Sequence, residues 1–572
     1  MLDLSGTSAT VPKHSTRSSA LPLPWASESD ELDADGTAGE GQDEVTPALV
    51  RIVTIAGLGG LLFGFDTGVI SGALLVIGSD LGGHPLTLSQ ESFLVTSALL
   101  GALVGSIAAS RLADWKGRKP VIVGAAVLFA IGALEQAAAQ VYKEVIFGRI
   151  LVGLGVGLAS MTLPVYLGEI SPPTYRGRIV ASLVVLITGG QVLAYAVDAV
   201  FYNAPKGWRW MFGAGAVPAI AQLLLAFAMP ESPRYQVQHG QVAAARRTLE
   251  VLYPRAGGDE VQRKIEAMQA EGGETRRECG EMEKSRAEAF RQLWRDRATR
   301  RALMVAMGLQ AFQQLTGFNT LMYYSGKIME AANLPQPAAF ACFVAITNFL
   351  FTIVALRLID RLGRRQLLLR TLVGMLVGMT LLAVSFIFIR VKPDGDGAPQ
   401  AEEEGVVPRA AGEANPWAFV AVFSMVIFCS AYATGIGNAA WVIQSEVFNQ
   451  EMRALGNGIS TATCWIANLL VSSTFLYLAK AFTPAGTFAL YAVVCALGWL
   501  FTWRFVPETK GLSLEDVRAL FEREVGVELG SKPLLQPDTE GSGRGAYHVV
   551  GEDDEGSEEE EQPAGTGGAR AE

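Results

Sequence analysis

Apolar residues along this chain gather into runs of about 20 or more, separated by stretches rich in glycine, proline and charge. Twelve such runs can be drawn, at about 49–78, 92–113, 119–140, 144–168, 178–203, 208–229, 302–331, 337–360, 366–390, 416–444, 454–481 and 485–506. Each is long enough to cross the hydrocarbon of a bilayer as a helix. The pattern predicts an all-α membrane protein with 12 transmembrane helices. Between the sixth and seventh runs, residues 231–301 are charged and carry helix-like stretches at 243–252 and 261–270, which predicts a cytosolic helical linker.

The polar punctuation repeats. Glu169, Arg176 and Pro230-Glu-Ser-Pro-Arg234 are each followed 277 residues later by Glu446, Arg453 and Pro507-Glu-Thr-Lys-Gly511. A second pair of turns, Arg111 to Arg118 and Arg357 to Arg364, is offset by 246, so the second half has 31 extra residues after its Gly-Arg turn. The Gly/Pro/Glu-rich stretch 391–415 accounts for them as an enlarged outer loop. Two equal hydrophobic halves with matching charged turns are the mark of a secondary transporter built from parallel repeats. The expected divisions are a disordered N-terminal tail (1–48), an N-terminal six-helix half (49–230), the linker (231–301), a C-terminal six-helix half (302–510) and an acidic C-terminal tail (511–572).

Composition sharpens this. Half of the 572 residues are hydrophobic, 18% are charged, and the mean hydropathy is +0.29. Much of the net charge of −10 lies in the tails, as in Glu552 to Glu561, and reads as solvated chain rather than as a surface for nucleic acid. Lys116, Arg118, Lys119, Arg176, Arg178, Arg361, Arg364, Arg365 and the linker all fall on one side of the expected membrane. The positive-inside rule puts both termini and the linker in the cytosol, with the plasma membrane as the expected location. The five cysteines show no ligand spacing, and no metal or cofactor motif, nucleophile or nucleotide loop stands out, which argues against an enzyme.

Charge inside an apolar run is costly and marks function by default. Asp66 lies near the middle of the first run, and Arg149 begins the fourth. If those helices touch, the two neutralise each other, either as a fixed pair that orients helices or as a switch worked by protonation of Asp66. Desolvation favours the neutral acid and the guanidinium favours the carboxylate; the sequence leaves that balance open. The seventh run carries Gln310, Gln313, Gln314, Asn319 and Tyr323, with Gly317 placed to let the helix unwind. Gln191, Asn348, Trp441, Trp465 and Asn468 add amides and rings from other runs. Amides both donate and accept, which suits a neutral polyhydroxylated ligand. Asp114, Arg118, Glu169, Arg176, Asp360, Arg364, Glu446 and Arg453 lie at the cytosolic ends. They are expected to form a gating salt-bridge network that latches the halves together when the cavity faces outward.

Gly64-Phe-Asp66, the Gly-Arg turns, Pro164-Val-Tyr-Leu-Gly-Glu169, Pro230-Glu-Ser-Pro-Arg234, Gln313-Gln-Leu-Thr-Gly-Phe-Asn319 and Pro507-Glu-Thr-Lys-Gly511 together resemble the sugar porter family of the major facilitator superfamily (MFS), over about 49–525. Within it the chain is most similar to proton–myo-inositol symporters, through Ile187-Thr-Gly-Gly-Gln191, Val197-Asp198 and Thr347-Asn-Phe-Leu-Phe-Thr352. The resemblance implies the MFS fold with two pseudo-symmetric halves and Asp66 as the proton-coupling carboxylate. It also implies a cavity lined by Gln191, Gln313, Gln314, Asn319, Asn348 and Trp441. Cys464 departs from the pattern, standing where an amide often precedes the Trp of the eleventh run. The expected partners are a polyol or sugar, H⁺ and the lipid bilayer. The expected function is proton-coupled symport of myo-inositol or a similar cyclic polyol by alternating access. The alternatives are a hexose symporter or uniporter and a non-transporting sugar sensor.

Overall fold

The computed structural model describes residues 46–172, 174–270, 295–389, 415–448 and 452–510, with 517 and 521. The side chains of Asp360, Arg453 and Ala454 lie outside this set, as do the loop at 390–414, the linker stretch 271–294 and almost all of both tails.

The described chain is helical. In order come α1 (Pro47–Val76), α2 (Leu88–Lys116), α3 (Arg118–Ala138), α4 (Tyr142–Ile170), α5 (Arg176–Phe201), α6 (Gly207–Ala214), α7 (Ala216–Leu225), α8 (Pro233–Gln238), α9 (Val242–Leu252) and α10 (258–270). After these come α11 (Arg297–Leu315), α12 (Phe318–Tyr323), α13 (Ser325–Ala331), α14 (Pro337–Leu362), α15 (Arg364–Phe388), α16 (Pro416–Thr434), α17 (Ile436–Glu446) and α18 (Arg453–Phe505). Local chemistry starts several of them. Thr46 caps α1 ahead of Pro47, Thr87 and Gln90 form a capping box on α2, Asp296 caps α11, and Asn415 caps α16 ahead of Pro416.

Among the described residues, ten segments are long and apolar enough to span a membrane. One difference from the sequence pattern has a local cause: the run 302–331 is three helices, because Gly317 takes a left-handed φ of 87° and Tyr324 closes α12. The last two runs follow each other within α18 as two helices, parted at Thr483 (φ 61°) just before Pro484.

Helices α1–α7 pack chiefly on one another (α2 on α4, α1 on α5, α3 on α4), and so do α11–α18 (α15 on α16 and α18, α11 on α18). The two groups meet mainly along α5–α14 and α2–α18. Glycine permits the closest approaches: a Cβ at Gly153 or Gly157 would fall on the carbonyls of Ala98 and Ala102 in α2. Helices α8–α10 bury a small core of their own from Val237, Ala245, Leu249, Val261 and Ile265, as the linker's apolar spacing predicts.

Candidate functional site

The two charges of the first and fourth runs meet. Arg149, buried in α4, donates through Nη1 to Asp66 of α1 and through Nε to the carbonyl of Leu94 in α2 at 3.2 Å. One guanidinium thus ties three helices to a single carboxylate.

Beside this pair lies a web of amides. Gln313 donates to the carbonyls of Ile436 (3.3 Å) and Gly437 (2.8 Å), just after the helix break at Gly435. Gln314 donates to Gln313 Oε1 at 3.1 Å and accepts from Asn319 at 2.6 Å. The break at Gly317 brings Asn319 back within reach of Gln314, which an unbroken helix would not. Asn348 of α14 donates to Gln191 of α5 at 2.8 Å, joining the two groups of helices. Asn468 donates to the Tyr323 hydroxyl at 3.4 Å. Tyr323 in turn lies within electrostatic range of Asp66 and Arg149, so the amides and the charged pair share one interior. Trp465 is tilted against Phe63 of α1, with ring centroids 6.2 Å apart. Trp441 is 44% exposed and stands apart from these contacts. The Cys464 sulfur lies 3.1 Å from Gln314 Nε2, filling the place of an amide. Gln310, which shares a helical face with Gln314, is committed instead to Gln444 at 2.6 Å.

The charged turns obey the repeat but pair differently from expectation. Arg118 binds Glu169 through Nε (3.1 Å) and Nη2 (3.0 Å). Arg364 binds Glu446 through Nε (3.3 Å) and Nη2 (3.0 Å). Glu231 and Glu508, the acids of the two Pro-Glu motifs, accept the first N–H groups of α3 and α15. Both networks therefore close inside their own group of helices, α3 with α4 and α15 with α17. Among the described residues, these pairs do not bridge the two groups of helices. Arg176 stands exposed at the start of α5, because Glu169 already spends both oxygens on Arg118. Asp114 is an outlying member, 3.6 Å from Arg118 and 75% exposed. Asp360 and Arg453 are among the side chains outside the described set.

The link between the groups is made at the other end of the helices. Ser71 of α1 meets Ser325 Oγ at 2.9 Å and accepts the N–H of Gly326 at 2.8 Å. Tyr195 of α5 donates to the carbonyl of Met322 at 2.5 Å. Lys327 of α13 pairs with Glu91 of α2 at 2.5 Å, and Ser92 donates to the carbonyl of Ser473 at 2.9 Å. This closure has no cue in the residue pattern, since serines in apolar helices commonly bond only to their own preceding turn.

Residues 52–521 match the family described as sugar (and other) transporter. The chain belongs to this family. Its sugar-transporter relatives include myo-inositol transporter 1 of Cryptococcus neoformans, 41% identical over 506 residues that cover 87% of this chain and 85% of that protein. The proton myo-inositol cotransporter of Homo sapiens is 34% identical, covering 85% of this chain and 84% of that protein. Among solved sugar-transporter structures, the partially occluded inward-open form of the E. coli xylose transporter XylE superposes with a TM-score of 0.66. It is 28% identical and is covered in full by 82% of this chain. The chain is thus a multi-pass membrane transporter.

Proposed function

We propose that this sugar transporter carries myo-inositol or a similar cyclic polyol into the cell together with H⁺, by alternating access. The observation that carries the reading is the buried Asp66–Arg149 pair set beside the Gln313–Gln314–Asn319 web. The names of the relatives support the same substrate and coupling ion. Asp66 takes the proton, Arg149 holds the carboxylate between loadings, and the amides of Gln191, Gln313, Gln314, Asn319, Asn348 and Asn468 exchange their mutual hydrogen bonds for the hydroxyls of the polyol. Trp465 flanks the ring. A web in which every amide already has a partner suits a ligand that offers a hydroxyl for each bond it displaces.

The ten apolar segments, with α11–α13 as one crossing and α18 bent into two, make twelve. In this reading residues 49–230 and 302–510 are two six-helix halves in the plasma membrane, with the termini and 231–301 cytosolic. The end closed by Ser71, Ser325 and Lys327 then faces outward, and the charged turns face the cytosol. Each positive charge moved inward gains about 2.3 kcal/mol per 100 mV of membrane potential.

The test is uptake of labelled myo-inositol by cells expressing the chain, with unlabelled glucose as competitor and a protonophore as control. Uptake that glucose leaves intact and the protonophore collapses fits the proposal. Uptake displaced equally by glucose makes the protein a hexose transporter instead.

A further inference from the structure

One buried carboxylate has no part in the coupling scheme. Asp198, near the outer end of α5, is 0% exposed. Its Oδ2 accepts the N–H of Gly72 at 3.0 Å, and its Oδ1 has no partner. The carboxyl group is wedged into α1, where any Cβ at position 72 would overlap it. The titratable groups that face it are Tyr195 of its own helix and Cys342 of α14. From α1 it meets Gly72. Helices α4 and α6 also pack on α5 but, among the described residues, bring no charge to it. Among the described residues nothing around Asp198 balances an ionised carboxylate, and burying such an ion without a counter-charge is strongly unfavourable.

Its position decides what that means. Ser71, next to the donor Gly72, carries the bonds to Ser325 and Gly326, and Tyr195, one turn from Asp198, carries the bonds to Met322 and Ser325. Separating α13 from α1 and α5 breaks those bonds and lets outer water into the gap beside Asp198. Closed, the same group is sealed from both sides.

We infer that Asp198 takes a proton from the outer medium whenever the outer end closes and returns it to the same side on opening. The proton is trapped, not transported. The inference rests on the outward placement of that end, and not on Asp66 being the coupling carboxylate. The closed form binds the extra proton, so closure is favoured as pH falls and disfavoured as pH rises, by at most about tenfold per pH unit for one site.

The test uses the full chain in lipid nanodiscs with genetically encoded spin labels at the exposed positions His84 and Gln336, on opposite sides of the outer end. Pulsed EPR reads the closed-to-open ratio between about pH 5 and about pH 8 in an Asp66→Asn background, which removes that residue's own proton. The expected result is a ratio that falls as pH rises, that stays high at every pH once Asp198→Asn is added, and that responds again in Asp198→Glu. Asp198→Ser gives the same reading should the amide not be accommodated. A flat ratio in Asp66→Asn alone overturns the inference, since Asp198 then keeps its proton in both states. A response that survives Asp198→Asn overturns it too. Transport measured separately on the unsubstituted chain decides the coupling role of Asp66, so the two failures are distinguishable.

Discussion

Arg149 is 1% exposed and holds Asp66 on one side and the carbonyl of Leu94 on the other. A guanidinium cannot shed its charge, so its partner's protonation state must be answered by movement, and three helices are attached to it. The amide web is set up to answer the ligand in the same way. Gln314→Leu removes the acceptor of Asn319 and a donor to Gln313. Stranding buried polar groups costs about 1–3 kcal/mol, so the KM for myo-inositol is expected to rise by about 5- to 150-fold with little change in maximal rate, as measured by concentration-dependent uptake. A KM within twofold of the original would remove Gln314 from the binding site. At this scale the sequence was readable wherever charge or amide interrupts an apolar run, as at Asp66, Arg149, Gln191, Gln313 and Asn348. It was silent on Tyr195 and Ser71, whose side chains are ordinary in such runs and acquire a role only from what faces them.

At the scale of elements, two glycine turns are the most constrained features. Gly117 and Gly363 have φ of 100° and 86°, and at either position a Cβ would run into the carboxylate, Glu231 or Glu508, that caps the next helix. Gly117→Ala and Gly363→Ala are each expected to destabilise the fold by more than about 1 kcal/mol, seen as a lower unfolding temperature of the purified protein. An unchanged transition would show that the turn relaxes freely. The contact between α2 and α13 offers a second test. Glu91→Lys places two cations at the outer closure and is expected to slow transport, and Lys327→Glu in the same chain is expected to restore it. Failure of the double reversal to recover activity would mean that the pair does not bear on closure. Helix identity was legible from hydrophobic run length in the spans and from the helix-like stretches 243–252 and 261–270 in the charged linker. The break within 302–331 was legible only as a glycine at a suggestive place, whereas the parting of the last two runs was legible from the drop in apolar character around Thr483 and Pro484.

At the scale of the whole molecule, the 277-residue repeat of charged motifs is realised as a repeat of contacts: Arg118 with Glu169 and Glu231, Arg364 with Glu446 and Glu508. Sequence spacing identified the participants but not the partners. Arg176 follows Glu169 closely, yet Arg118 reaches that carboxylate across a helix interface, which spacing along the chain does not encode. With Arg118 and Arg364 engaged inside each group of helices, bonds among the described residues that join the groups include the hydroxyl and ion-pair closure at the far end and the Gln191–Asn348 bond. In the proposed orientation that arrangement is closed outside and held at the centre by groups a polyol can displace, which would couple a ligand to a change of access.

The central claim is that a proton on Asp66 travels with the polyol. The most direct measurement is current under voltage clamp in oocytes expressing the chain, recorded together with uptake of labelled myo-inositol. The account predicts a saturable inward current on adding myo-inositol, larger in mildly acid than in neutral medium, with charge in fixed proportion to label. In Asp66→Asn it predicts that the current is lost while exchange of labelled for unlabelled polyol persists. Uptake of label with no accompanying current, or an Asp66→Asn protein that still carries the current, would contradict it.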